Sequence, residues 1–274
     1  MDFTIVITTF NRAHLVSRAI RSALVWYTPE MTIVVVDDAS EDETQSVILQ
    51  LFEKEIRNGV IEYVRLPVNL GASGAKNAGV EKSKGEWVVI LDSDDELIPN
   101  AFEVVSRTII KHAGDDGVFF RSIDGQTGEK VGPPQSPIYL GPKEIFSPGL
   151  PGETLLVAKR ATHLRFPFPV ELRGCESLAF RSMAVGGLRL RLTDTPARIY
   201  HQPSFGRLSV GAGFRSRYKY IAVYHWRSAG FWRHAGLKHA AISSAKSVVY
   251  ALLYASWRLD SFWQSRRSSD PKGT

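Results

Sequence analysis

Residues 87–96 read WVVILDSDDE, an apolar run from Trp87 to Leu91 followed by four acids in five positions: Asp92, Asp94, Asp95 and Glu96. An apolar run of this length, bounded by polar residues, reads as a buried strand. Like charges this close repel, and burying them unpaired costs several kcal/mol or shifts their pKa instead. Such a cluster persists where a positive group fills it, or where water does. The ends of the neighbouring strands decide which.

Upstream, Phe3–Thr8 and Met31–Val36 are further apolar, β-branched runs, and the second ends in Asp37-Asp38. Between them Leu15, Ala19, Ile20, Ala23 and Leu24 recur at helical spacing. Ser40 reads as the N-cap of a following helix, with acids in its first turn and Val47, Ile48, Leu51 and Phe52 facing inward. Ile61–Leu66 is a third strand, the glycine-rich stretch 71–79 opens a helix, and Trp87–Leu91 is the fourth strand. Pro99 suits a first helical position ahead of Ala101, Val104, Val105 and Ile109. Strands and helices alternating at this spacing predict an α/β fold with a mostly parallel sheet covered on both faces. Ligands of such sheets collect outside the carboxyl ends of the strands. There this sequence places Thr8–Phe10, Asp37-Asp38 and Asp92–Glu96.

After residue 115 the pattern is sparser. Gly117–Ile123 and Thr154–Ala158 read as strands, Asp124–Gly128 as a turn, and Gly132–Pro151 as a Pro/Gly-rich loop. Glu176 opens a short helix, Ser177–Val185, stopped by Gly186-Gly187. Leu188–Leu192 and Ala197–Tyr200 are short strand candidates.

The net charge of +6 is unevenly distributed. Residues 1–206 hold 22 Lys and Arg against 26 Asp and Glu, whereas residues 207–274 hold 12 against Asp260 and Asp270 alone. The single cysteine, Cys175, excludes an internal disulfide framework and favours a reducing compartment. The opening residues have no basic segment followed by a long apolar one, so no secretory leader is expected. The division predicted is a body, 1–206, with halves 1–110 and 111–206, and a basic tail, 207–274.

Asp92 and Asp94, one residue apart beyond a strand end, can converge. Two carboxylates with a ligand's phosphates make a hard oxygen set that suits Mg²⁺ or Mn²⁺. The plain alternative is a solvated turn in which Asp95 and Glu96 cap the next helix. Asp38 suits a base or ribose, or a helix cap; Phe10 suits stacking on a base, or the core. Lys76 and Asn77, near a helix start, suit a phosphate. Gly71, Gly74 and Gly79 do not match the dinucleotide fingerprint, which argues against a dehydrogenase. A phosphoacceptor signalling domain also puts acids at strand ends, but would lack the stretch 69–79 and the long region after 120.

The ordered blocks ITTFNR (7–12), VVDDAS (35–40), NLGASGAKNAG (69–79) and LDSDDE (91–96) resemble those of family 2 glycosyltransferases of the GT-A fold. The resemblance covers roughly the first 110 residues. It implies a Rossmann-like sheet and inverting sugar transfer from a nucleotide diphosphate donor, with a divalent metal at a D-x-D motif. On it, Thr8 and Phe10 line the base pocket with Asn11 and Arg12 beside them, and Asp38 bonds the base. Lys76 and Asn77 belong to the donor site, with Lys76 where most members carry Arg. Asp92-Ser93-Asp94 is the D-x-D, Asp92 lying near the ribose or metal and Asp94 acting as metal ligand. His201 is a further candidate at the metal or diphosphate. The family's base is commonly the Asp of a Glu-Asp pair at a helix start. Here the pair reads Glu176-Ser177, so Glu176 becomes the candidate base.

The tail mixes cations with aromatics, among them Arg215, Arg217, Tyr218, Lys219, Tyr220, Trp226, Arg227, Trp232, Arg233, Trp257, Arg258, Trp263, Arg266 and Arg267. Its charge-free stretch Ser247–Trp257 is eleven residues, against the roughly 20 that cross a bilayer. Basic helices with Trp lie in the headgroup region instead. The expectation is therefore a hexosyl- or N-acetylhexosaminyltransferase, peripheral on the inner face of the cell membrane and bound to anionic lipid through the tail. It would use a UDP-sugar and a glycan or lipid-linked acceptor, would not bind nucleic acid, and is compatible with an oligomer. The alternative is a nucleotide-sugar-binding scaffold whose chemistry was lost with Ser177. A tail that packs on protein, its charge merely solvated, is also open.

Overall fold

A computed structural model describes residues 1–133, 136–147, 149–201 and 211–269, without the side chains of 211–213, 232 and 260–269. It falls into two compact units, Met1–Val170 with Ala179–Pro203, and Glu171–Leu178 with Ser204–Thr274. The expected boundary at 206/207 lies outside the described residues. The assignment of Glu171–Leu178 to the tail's unit was not anticipated.

The first unit opens with β1 (Phe3–Thr9), α1 (Val16–Trp26), β2 (Met31–Asp37), α2 (Thr44–Leu51), α3 (Glu53–Arg57), β3 (Ile61–Arg65), α4 (Gly71–Lys82) and β4 (Trp87–Asp92). It continues with β5 (Glu96–Leu97), α5 (Ala101–Lys111), β6 (Gly117–Asp124), β7 (Ile138–Tyr139), β8 (Thr154–Lys159) and α6 (Arg160–Arg165). Helix α7 (Ser177–Val185) and strand β9 (Leu190–Tyr200) follow. The strand order is β3-β2-β1-β4-β8-β6-β9-β5, with β7 beside β9. Strands β3, β2, β1 and β4 are mutually parallel, as are β6 and β9. The remaining pairs are antiparallel, so the sheet is mixed and its parallel part is the half with the regular strand–helix alternation.

Alternating side chains cover both faces. Ile5, Ile7, Ile33, Val35, Val89 and Leu91 pack under α1 and α5. Val6, Val34, Val36 and Val88 face α4 through Ala75 and Val80. Farther along, Phe119, Leu156, Leu190 and Leu192 pack with Ala179, Met183 and Ala184 of α7. Gly79 of α4 is required by close approach: a Cβ there would lie 2.2 Å from Val6 Cγ1.

Several local expectations are corrected. Helix α2 begins at Thr44 and has no acid in its first turn, because Ser40 is engaged by the preceding loop rather than capping α2. Leu51 is exposed, since the chain turns into α3 directly after it. Helix α5 starts at Ala101, past Pro99, and Val104 faces out. The two short candidates after residue 188 form one strand, β9, with register shifts along β6.

The second unit holds α8 (Gly211–Ser216), α9 (Tyr218–Ala229), α10 (Trp232–Ala235) and α11 (Leu237–Ser269), which makes the expected helical extension.

Candidate active site

Register brings the polar strand ends together. Thr8 lies opposite Asp92, and Thr9 opposite Asp37. Strand β1 stands between β2 and β4, where the connections change direction, the usual ligand position in an open α/β sheet.

The loops after β1 and β2 are laced together. Among the described residues, Asn11 and Ala39 are the non-glycine residues in the left-handed region, at φ 50° and 61°. Asn11 donates its N–H to Ser40 Oγ (2.9 Å), and its Oδ1 accepts the N–H of Glu41 (2.7 Å). The Arg12 N–H reaches Thr44 Oγ1 (2.9 Å). These bonds hold a backbone that would otherwise resist αL, and leave Phe10 41% exposed at the rim rather than in the core. Thr8 is buried beneath it, its carbonyl accepting the N–H of buried Ser93.

Asp37 is fully buried and structural: it accepts bonds from the Ser40 N–H, the Tyr63 hydroxyl and Arg65. Asp38 turns its carboxylate to the start of α4, accepting the N–H groups of Leu70 (2.7 Å) and Gly71 (2.8 Å). It therefore does cap a helix, but α4 rather than the next helix in sequence. Thr9 Oγ1 and Ser73 Oγ are buried hydroxyls with no partner among the described residues. Buried polar atoms are nearly always satisfied, so these two, at the end of β1 and in the first turn of α4, mark hydrogen-bonding capacity that sequence reading missed.

Each acid of the opening stretch faces a cation of the chain. Asp92 lies 3.0 Å from Lys76 Nζ, Asp94 3.8 Å from Arg12, and Asp95 3.1 Å from Arg198. Glu96 lies 2.6 Å from His201 Nε2 and 3.3 Å from Arg18. Arg18 also donates to the Asp94 carbonyl. Repulsion within the cluster is thus answered by protein cations, where the sequence had pointed to a metal or water. Asp95 is neither solvated nor a helix cap. It is buried against buried Arg198, which also bonds Ser122 and Glu153. Burial pushes its carboxyl up to about 7; Arg198 opposes the rise, and Asp92 and Asp94 add to it.

Desolvation raises the Asp92 carboxyl, but Lys76 first, then Arg198 and Arg12, outweigh it and hold it below the ordinary carboxylate range. Its side chain remains 41% exposed, so it is presented at the rim as an anion. His201 donates its backbone N–H to Asp95, and its ring Nε2 lies 2.6 Å from Glu96 Oε1. Among the described residues, no three His, Cys, Asp or Glu side chains converge as a metal cage. The protein's share of a divalent site would be two carboxylates, Asp92 and Asp94. That hard oxygen pair suits Mg²⁺ or Mn²⁺ only with ligands from a bound diphosphate and water.

Lys76 is buried in α4 and directed to Asp92. Asn77 beside it is not turned to the rim: its Oδ1 accepts the Phe168 N–H (2.9 Å) and its Nδ2 donates to the Phe168 carbonyl (2.8 Å). Through this clamp the Phe168 ring lies 6.0 Å from Lys76 Nζ. In the second unit, Glu176 directly precedes α7, and Ser177 Oγ lies 3.2 Å from the Tyr224 hydroxyl.

The family model described as "Glycosyl transferase family 2" matches residues 4–164. The chain is 33% identical over 104 residues to the GalNAc(5)-diNAcBac-PP-undecaprenol beta-1,3-glucosyltransferase of Campylobacter jejuni, which is 38% of this chain and 33% of that protein. It spans about a third of the length of the curated relatives it matches first. Its fold is similar to that of S. aureus TarS 1-349 in complex with UDP-GlcNAc, with a TM-score of 0.66 at 20% identity, covering 93% of this chain and 73% of that one. It is similar also to the mannosyltransferase PcManGT from Pyrobaculum calidifontis in complex with GDP-Man and Mn2+, with a TM-score of 0.58 at 18% identity, covering 97% and 82%.

Proposed function

The chain belongs to glycosyl transferase family 2, and from that membership we propose that it is an inverting transferase moving a sugar from a UDP-sugar to a lipid-linked or surface glycan. The observation that carries this reading is the strand register, which gathers Thr8, Thr9, Asp37 and Asp92 on one rim beside Lys76 and Arg12. The UDP-GlcNAc complex of TarS and the undecaprenol-linked substrate in the name of the Campylobacter relative support the donor and acceptor classes.

In this reading the base of the donor stacks on exposed Phe10 and lies over Thr8, near Asp38. Asn11 shapes the loop that holds Phe10. The diphosphate lies between the acids and Lys76, with Arg12 within reach. A divalent ion held by Asp94 and Asp92 would neutralise charge developing on the leaving diphosphate. The acceptor hydroxyl attacks the anomeric carbon opposite the leaving group; the new C–O bond forms as the sugar–phosphate bond breaks. Glu176 takes the hydroxyl proton, which Ser177 cannot do near neutral pH. His201 serves this site indirectly, by fixing Glu96 and Asp95. Asn77 serves it by fixing Phe168 under Lys76.

Asp94→Ala is expected to abolish Mn²⁺-dependent transfer, with an unchanged circular dichroism spectrum and melting point; full activity would refute the metal assignment. Glu176→Gln should lower kcat by roughly a hundredfold or more with UDP affinity retained. A second reading, a binding protein without chemistry, is favoured by Ser177 standing where the base is commonly found. UDP release from UDP-sugars with Mn²⁺ separates the two, since the binding protein releases none.

We place the protein on the cytoplasmic face of a membrane, held by the second unit. Among the described residues no helix is long and apolar enough to cross a membrane. Helices α9 and α11 nevertheless expose Trp226, Leu237, Val248, Val249, Leu252 and Leu259 within the segment that carries ten surplus cations. Apolar side chains with basic neighbours suit an anionic lipid surface.

A further inference from the structure

The stretch Glu171–Leu178 is held by the helical tail through apolar packing, hydrogen bonds and an ion pair. Leu172, Cys175 and Leu178 are buried, with the partly buried Tyr220, Tyr224 and Phe231 of the tail packed against them. Arg217, immediately before α9, donates Nε to the Arg173 carbonyl (3.2 Å) and Nη2 to the Gly174 carbonyl (2.6 Å). Ser177 Oγ meets the Tyr224 hydroxyl at 3.2 Å, and Glu171 pairs with Arg227. Gly174 has φ 69°, and a Cβ on it would lie 2.3 Å from Arg217 Nη2. Only glycine there tolerates the left-handed backbone and the guanidinium together.

We infer that the tail positions the base: Arg217 and Tyr224 are positioning residues that fix the backbone on either side of Glu176. This rests on the reading of Glu176 as the general base, and goes beyond it by giving the tail a part in the chemistry. The physical argument concerns scale. A base must sit within about 3 Å of the proton it removes, and a misplacement of about 1 Å can cost on the order of a hundredfold. The six residues 171–176 have no regular structure before α7 and cannot hold such a position by themselves. Two charge-assisted bonds from one guanidinium, an apolar anchor and a hydroxyl pair can. The substitution of the usual acid by Ser177 follows the same logic, since the serine hydroxyl is engaged by Tyr224.

The test uses the full chain. Arg217→Ala, Tyr224→Phe and Gly174→Ala are compared with the parent for transfer kcat, for UDP affinity by titration calorimetry, and for hydrogen exchange in peptides covering 171–178. The expected result is a kcat loss of roughly ten- to a hundredfold in Arg217→Ala. UDP affinity should stay within about twofold and exchange should speed up in 171–178 but not in β1–β4, with partial recovery in Arg217→Lys. A general loss of stability would instead move UDP affinity and the exchange of β1–β4 as well, and that outcome overturns the inference. Native kcat in Arg217→Ala and Gly174→Ala also overturns it, whatever the exchange shows. Glu176→Gln, measured alongside, reports on the reading of the base alone: an active Glu176→Gln enzyme sinks that reading, while native turnover in the other variants beside an inactive Glu176→Gln sinks only the role of the tail.

Discussion

His163 lies in α6 with 2% of its surface exposed, its ring 5.6 Å from that of Phe168, and neither ring nitrogen has a partner among the described residues. Burial pushes its pKa down to about 4 from an ordinary value near 6.5. The unfolded chain therefore binds a proton near pH 6.5 that the folded chain accepts only near 4. The associated stability is fully present above 6.5 and is lost as pH falls towards 4, a drop on the order of 3 kcal/mol. His163→Phe keeps the tilted ring contact and should remove that part of the acid sensitivity, read as the difference between urea midpoints at pH 7 and pH 4.5. Arg198 gives a second prediction at this scale. It is buried with Asp95, so Arg198→Met leaves that carboxyl buried without its cation, forced to protonate or stand unpaired, and should cost about 3–5 kcal/mol in chemical denaturation. Replacing both partners by apolar groups should cost far less. The acids of residues 92–96 were legible in the sequence; their partners were not. Lys76, Arg198 and His201 lie on other elements, and only folding brings them near.

Helix α4 shows how much one element contributes. Its start is fixed by Asp38, its middle packs on Val6 and Val36, and its Lys76 and Asn77 serve the rim in different ways. Gly79→Ala would drive a methyl into Val6 and should cost about 1–3 kcal/mol of stability, with UDP affinity falling as α4 lifts from β1. Thermal melting and UDP titration check both. Strands β1 to β4 were readable as continuous apolar runs and helices α1 and α5 from their helical spacing, whereas α4 was read from its glycine-rich start. The start of α2 was misread because Ser40 and the acids after it form a good cap by composition. The structure engages that serine with Asn11 instead, since a loop between two strand ends binds its neighbour before it caps a helix. The contacts of Asn77 were hidden for a related reason. An amide near a helix start is chemically suited to phosphate, and nothing local reveals that Phe168 claims both of its ends.

Taken whole, the molecule has a sheet half that is regular and a second half that is mixed, and two units of opposite charge balance. If the exposed apolar residues of the tail meet lipid, the protein should float with anionic liposomes at low salt and much less at about 0.5 M salt, where charges are screened within a few ångströms. Leu252→Asp with Trp226→Ala should weaken flotation without altering UDP affinity. Absence of flotation at low salt would remove the membrane assignment and leave the sugar chemistry untouched.

By itself the sequence determined the parallel half of the sheet, the rim at its carboxyl edge, the family and the basic, aromatic-rich composition of the tail. Each of these is written in local periodicity, in short ordered blocks or in composition. Only tertiary structure decided that the acids are matched by protein cations, that Asp38 holds α4, that Asn77 clamps Phe168, and that Glu171–Leu178 belongs with the tail. These are contacts between residues up to about a hundred positions apart, and their partners follow from how the elements pack rather than from any pattern along the chain.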